Sequence, residues 1–253
     1  MSVCRISLLA AALVAFATAA AAQIPAAKEE PSLIMEPIQP VMDRPILAHV
    51  IFNELEGRFN GSNTEFRWEG QGWVGTDYDK LWIKSEGTLQ GNGTLDDGQQ
   101  QFLYGRSVTT YFDLQGGLRS DIDSRPTRNW AAFGIQGLAP YFFDLELTGY
   151  VSGEGHLAGK LEASYDLLLT QRLILQPQIE VNLYSKADPA RLVGAGFSDI
   201  DTGLRLRYEF TRNFAPYLGV VYEGKFGQTA SYARRTGDST GDFRFVFGVR
   251  AWF

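Results

Sequence analysis

The stretch from Asp242 to Phe253 reads Asp-Phe-Arg-Phe-Val-Phe-Gly-Val-Arg-Ala-Trp-Phe, and it constrains the fold more than any other feature of the chain. In an extended backbone successive side chains point to opposite faces. Phe243, Phe245, Phe247, Val249, Ala251 and Phe253 therefore share one face, and Asp242, Arg244, Gly248 and Arg250 share the other. A helix would scatter these aromatics around its circumference. The segment is a strand with one large apolar side and one charged side.

The same period of two recurs upstream. Phe214, Leu218, Val220, Tyr222 and Phe226 alternate with Tyr217, Glu223 and Lys225, and Leu204, Leu206, Tyr208 and Phe210 with Arg205, Arg207 and Glu209. Leu173, Leu175, Ile179, Val181 and Leu183 alternate with Gln176, Gln178, Glu180 and Asn182. Further back, Leu157, Leu161, Ala163, Tyr165 and Leu167 face away from Lys160, Glu162, Ser164 and Asp166. Tyr141, Phe143, Leu145, Leu147 and Val151 likewise face away from Asp144, Glu146 and Thr148. Several segments are long enough for a tilted membrane strand, about 9–11 residues, and longer than the usual soluble strand of about 5–6.

A soluble sandwich would also alternate, so the compartment matters. Arg5 precedes an uncharged apolar run from Ile6 to Ala17, and Ala20-Ala21-Ala22 places small residues before Gln23. This is the pattern of a cleaved secretory leader over residues 1–22, too short for a comfortable transmembrane helix. Cleavage removes Cys4, the single cysteine, so thiol and zinc-cluster chemistry is not expected of the mature chain. It also removes Arg5, which takes the formal charge of −6 to −7. That acidic balance excludes nucleic acid as a partner and permits cations. Long alternating strands, an aromatic-rich face and a leader together predict an antiparallel transmembrane β-barrel in the bacterial outer membrane, with lipid outside and water inside.

Residues 23–45 carry Pro25, Pro31, Pro37, Pro40 and Pro45, which oppose both helix and ladder. This segment is expected to be a mobile periplasmic tail, with the barrel spanning 46–253. Long connections are expected at 90–99, 186–197 and 227–241, alternating with short turns such as 170–171 and 211–213. If 107–110 is a tight turn, the count is about twelve strands, with both chain ends periplasmic.

Several motifs run in order along the chain. They are Trp68-Glu-Gly-Gln-Gly-Trp73, Asp79-Lys-Leu-Trp-Ile-Lys-Ser-Glu86, Tyr111-Phe-Asp-Leu-Gln115, Gly137-Leu-Ala-Pro-Tyr141 and Leu168-Leu-Thr-Gln-Arg-Leu-Ile-Leu-Gln-Pro177. Leu204-Arg-Leu-Arg-Tyr-Glu209, Phe214-Ala-Pro-Tyr217 and Lys225-Phe-Gly227 complete the set, which covers nearly all of 46–253. Together they resemble the copper resistance protein B family of outer-membrane proteins, and the resemblance implies a barrel that binds copper and contributes to copper tolerance or passage. Its implied partners are the outer-membrane bilayer, copper ions as cargo rather than tightly held cofactor, and a periplasmic copper-binding protein. Members of the family often carry a Met- and His-rich N-terminal segment. Here the soft or imidazole ligands left after cleavage are Met35, Met42, His49 and His156.

The inward face supplies a second set of candidates. Asp144, Glu146, Glu162, Asp166 and Glu180 form a cation-attracting pathway in this reading, although many lumen charges are expected to pair across strands. Carboxylates are hard ligands, suited to transient passage more than to copper-selective binding. No catalytic residue is expected, since the two histidines fall at opposite ends of their strands and no nucleophile–base pair is evident. A small generic pore or purely structural barrel remains the alternative function. Because 23–45 contributes no alternating strand, its deletion should leave a folded, heat-resistant barrel on electrophoresis; failure to assemble would make it a plug or a strand.

Overall fold

The computed structural model describes residues 45–61, 63–123 and 127–253. The expected leader and nearly all of the Pro-rich segment, with Met35 and Met42, lie outside the described residues. The chain runs through β1 (Leu47–Asn60), β2 (Asn63–Gly75), β3 (Asp79–Gln90), β4 (Leu95–Ser107), β5 (Phe112–Asp121), β6 (Asn129–Ala139) and β7 (Phe143–Ser152). It continues through β8 (Leu157–Tyr165), the two-residue β9 (Leu167–Leu168), β10 (Leu173–Tyr184), β11 (Gly196–Tyr208) and β12 (Phe214–Lys225). A helix, α1 (Gly227–Thr236), precedes the last strand, β13 (Gly241–Trp252).

Every neighbouring pair is antiparallel. β8 and β9 pair with successive parts of β10 and form one stave interrupted at Asp166, so the closed barrel has twelve staves. Closure is made by β1 and β13, in register from Ile51 opposite Trp252 to Phe59 opposite Phe245. At the seam the Val50 amide donates to the Phe253 carbonyl (3.0 Å) and the Phe253 amide donates back to Val50 (2.9 Å). Such closure is what lipid demands, because hydrocarbon offers no partner to an open strand edge.

The aromatic face of β13 points out of the barrel: Phe243, Phe245 and Phe247 are 71%, 73% and 64% exposed. Leu118, Phe133 and Leu218 extend this apolar belt around the wall. Apart from β9, the strands are 9–14 residues long, enough to cross the bilayer at a tilt.

At the end where the described chain begins at Pro45 and stops at Phe253, the connections are 76–78, 108–111, 140–142, 169–172 and 209–213. At the opposite end they are 61–62, 91–94, 122–128, 153–156, 185–195 and 226–240. The 107–110 turn is present and supplies the even count. Two expectations change. The 90–99 loop contracts to 91–94 because β4 already begins at Leu95, and the 227–241 connection contains α1. Nothing in the period of two signals that helix; its C-cap Gly237 (φ 83°) is its clearest local mark.

Four of the opposite-end connections are tied across the mouth. The Gly194 amide donates to Thr229 Oγ1 of α1 (2.8 Å), Arg128 reaches Asp188 (2.5 Å) and Glu154 (3.1 Å), and Arg191 pairs with Asp121 and Asp123. With this end outside the cell, a cysteine placed at Lys186 should react with an impermeant maleimide on intact cells, while one at Thr170 should not. Reaction at Thr170 alone would reverse the orientation.

Candidate functional site

The lumen is built by β1 outward from a single irregularity. Strand pairing slips on both sides of Asn53, a β-bulge that places Asn53 and Glu54 in succession against the interior. Beyond the bulge Glu54, Glu56 and Arg58 all point inward, and all three are buried. Arg58 donates through Nε to Glu56 (2.7 Å) and through Nη1 to Asp201 (2.6 Å) and Glu223 (2.5 Å), with Glu54 at 3.3 Å from Nη2.

Arg205 of β11 meets the same carboxylates from the neighbouring wall, donating to Glu56 at 2.9 and 3.0 Å and lying 2.7 Å from Glu54. Tyr217 donates its hydroxyl to Glu56 (2.8 Å). It reaches across Gly248, which sits between Tyr217 and Glu56 in the register; a Cβ there would lie 2.7 Å from both side chains. Glu54, Glu56 and Arg58 were not among the sequence candidates. The signal was present, since Glu54, Glu56 and Arg58 alternate with Leu55, Gly57 and Phe59.

Other cations cross the lumen. Lys160 of β8 donates to both oxygens of Glu86 on β3 (2.9 and 2.7 Å) and lies 3.5 Å from Glu180 and 3.8 Å from Glu162. Lys84 of β3 donates to Glu146 of β7 (2.7 Å) and to Gln136 of β6 (2.9 Å). Arg67 of β2 joins Glu54 and Glu180, both at 3.1 Å. Arg244 pairs with Glu65, and Arg207 with Asp166 (2.7 Å).

This network lies between two chambers. The one nearer the chain ends is a cavity of about 280 Å³ lined by Glu54, Glu69, Glu86, Asp144, Glu146 and Glu162 against Lys84, Lys160, Arg205 and Arg250. The one beneath the longer loops, about 190 Å³, is lined by eleven carboxylate side chains and five Lys or Arg side chains. Glu86 and Gln99 line both.

The register reveals an order among the acids. Glu146 stands opposite Glu162, Glu162 opposite Glu180, Glu180 opposite Asp201, Asp201 opposite Glu223, and Glu223 opposite Asp242. Because the strands are staggered, this row climbs from near the start of β7 to the start of β13, from one end of the barrel toward the other. Directly opposed side chains share a face with Cβ atoms about 4.5–5.5 Å apart.

Of the five pathway residues expected from sequence, Glu146, Glu162 and Glu180 lie on this row. Asp144 joins Glu146 and Glu162 in the inner chamber, Glu180 lines the outer one, and Asp166 is paired with Arg207 and lies 3.8 Å from Arg250. The two ligand candidates among the described residues, His49 and His156, are not brought together. His49 sits on β1 at the end holding the chain ends, 6.3 Å from the Trp73 ring, and Trp73 is 6.2 Å from Trp82. His156 lies in the 153–156 turn at the opposite end, 4.0 Å from Glu154. Among the described residues no group of three His, Cys, Asp or Glu side chains is arranged to hold a metal.

Comparison with known proteins places this barrel. The model of the family "Copper resistance protein B precursor (CopB)" matches residues 46–253. The chain belongs to the copper resistance protein B family. "Copper resistance protein B" of Escherichia coli is 43% identical over 213 residues, spanning 84% of this chain and 72% of that relative. The "Copper resistance protein B homolog" of Pseudomonas syringae pv. tomato (strain ATCC BAA-871 / DC3000) is 41% identical over the same shares. The solved NanC porin superposes with a TM-score of 0.50 at 12% identity, covering 81% of this chain and 98% of that one, a likeness of fold. This copper resistance protein B family member is thus an outer-membrane β-barrel with a copper-resistance role.

Removing one partner from a buried ion-pair network strands the others and costs about 3–5 kcal/mol. Glu56→Ala should therefore lower the denaturant midpoint of the refolded barrel sharply. Tyr217→Phe, which removes one hydrogen bond to a charged group, should cost about 1.5–3 kcal/mol. Unfolding of Glu56→Ala at the parental midpoint would show that water, not pairing, satisfies these charges.

Proposed function

We propose that this family member assists copper tolerance by passing copper ions across the outer membrane through its lumen, with copper as cargo. The observation that carries the reading is the excess of carboxylates over cations lining the outer chamber, continued inward by the row from Asp242 to Glu146. A low-dielectric wall focuses such a field and raises the local cation concentration by roughly 10–10³-fold.

Arg and Lys side chains on the facing strands already neutralise much of the row. A passing ion therefore moves by exchanging with tethered cations rather than by entering a bare acidic tube. Lys160 stands at the junction, beside Glu86, Glu162 and Glu180. Its ammonium occupies the position between the chambers that a passing cation must share. Softer contacts belong to the ends, with His49 and the Met35 and Met42 segment on one side and His156 on the other. A periplasmic copper-binding protein would meet the lumen at the end that carries His49.

The test is copper flux into liposomes at low salt. The triple variant Glu146→Gln, Glu162→Gln, Asp166→Asn keeps side-chain size, removes three negative charges and releases Lys84 and Arg207 from their partners. Flux should fall about 3–10-fold and recover toward parity near 1 M salt, where the screening length is about 3 Å. Replacing Met42 and His49 should instead lower bound copper at equilibrium, with less effect on flux. Parental flux from the triple variant at low salt would reduce the lumen acids to structural partners and leave a generic or structural barrel.

A further inference from the structure

A second row of acceptors lines the wall facing Lys160. Glu54 stands opposite Glu69, Glu69 opposite Glu86, and Glu86 opposite Gln99, with Gln101 two residues further along β4 on the same face. All line the inner chamber. Much of this row is paired, since Glu54 meets three arginines and Glu86 meets Lys160. Three oxygens are different. Glu69 Oε2, Gln99 Oε1 and Gln101 Oε1 are buried and accept no hydrogen bond from any described residue. Their side chains are 9%, 4% and 3% exposed.

Two of the three groups are oriented by partners. Glu69 Oε1 accepts from Asn53 (2.8 Å), the residue of the bulge, and Gln101 Nε2 donates to the Tyr150 hydroxyl (3.2 Å). The Gln101 amide is therefore turned by a partner, which aims its carbonyl oxygen away from Tyr150. Leaving a buried acceptor unsatisfied costs about 1–3 kcal/mol, more for a charged one. Three such oxygens on one wall call for a donor shared among them. A lining of six carboxylates against four cationic side chains favours a positive partner for them.

We propose that Glu69, Gln99 and Gln101 form a binding site for a hard divalent cation of the calcium class, distinct from the copper cargo. One carboxylate oxygen with amide carbonyls is a hard, all-oxygen set, and it holds neither sulfur nor imidazole. Calcium accepts such irregular sets and completes its shell with water, whereas magnesium demands near-ideal octahedral geometry and dehydrates reluctantly. A site with so few formal charges falls in the weak range, on the order of 10⁻⁴–10⁻³ M. The bound ion would tie β2 to β4 across β3 and offset the repulsion of Glu54, Glu69 and Glu86. The site stands on the cavity and its orphaned oxygens, so it does not depend on copper passage.

Calcium titration of the refolded full-length barrel by calorimetry tests it. The parent should bind one Ca²⁺ in that range. Glu69→Gln should weaken binding at least tenfold, Gln99→Leu and Gln101→Leu several-fold, and Gln99→Glu should tighten it. Heat-modifiability on electrophoresis confirms folding of each variant. Should Glu69→Gln fail to fold, the two Gln→Leu variants and Gln99→Glu decide. Absence of saturable Ca²⁺ binding by the parent overturns the proposal, and so does parental affinity in the folded variants. Copper flux through the Glu146, Glu162 and Asp166 variant is read on different residues, so either proposal can fail alone.

Discussion

The rest of this structure depends on closure. In hydrocarbon an unpaired strand edge is untenable, and the pairing of β1 with β13, finished by the reciprocal Val50 and Phe253 hydrogen bonds, removes the last one. Closing at twelve staves also fixes the width of the interior. That width is small enough for Lys84 and Lys160 to touch carboxylates on opposite walls, from β3 to β7 and from β8 to β3. The alternation that turns Phe243, Phe245 and Phe247 toward lipid turns Arg244 toward Glu65 and Glu223. One pattern therefore builds both the apolar exterior and the charged interior.

Six acids at successive registers should repel one another, since like charges directly opposite are destabilising. The wall tolerates them because the facing strands project cations between them. Arg58 serves Asp201 and Glu223, Arg67 serves Glu180, and Lys84 serves Glu146. Each of these cations is shared or bridged rather than held in an isolated pair, and sharing lets one guanidinium satisfy several buried oxygens. Desolvating two charges is costly unless additional hydrogen bonds complete their shells, and Tyr217, Asn182 and Gln178 provide such bonds to Glu56, Glu180 and Arg205. Structural pairing and cation handling are compatible here, because pairing accounts for the cations and leaves carboxylates in excess.

What was legible in the sequence follows from the range of each interaction. Period-two alternation is local, and it located the strands from β7 to β13 within a few residues. Turn residues are local too, and they reproduced the short connections at the end holding the chain ends. The bulge at Asn53 breaks the alternation, so reading β1 with a strict period of two puts either Ile51 or Glu54 on the wrong face. That is why Glu54, Glu56 and Arg58, the centre of the lumen network, escaped notice. The partners of these residues were beyond reach for another reason: Arg58 meets Glu223 across 165 positions, a pairing set by stagger and closure. The α1 helix was hidden inside a connection judged by length. The likeness of motifs to the copper resistance protein B family did what alternation could not, since it named a biological role that the barrel geometry alone leaves open.

The chemistry of the lumen also limits what its middle can do. The walls between the two histidine ends present carboxylates, amides, guanidinium and ammonium groups, with neither thioether nor imidazole among the residues that line the chambers. Carboxylates distinguish cations from anions strongly and one cation from another weakly, whereas copper is selected by softer ligands. If copper passes this way as proposed, the middle would select charge and leave metal identity to the ends, where His49 lies beside Trp73 and His156 lies in an outer turn. The same reasoning explains how a hard cation on Glu69, Gln99 and Gln101 would coexist with copper as cargo. An ion fixed on one wall offsets repulsion there, and the row from Glu146 to Asp242 on the other wall stays available to ions in transit. Separating the two rows on opposite sides of Lys160 lets one lumen hold a resident charge and still present an acidic path.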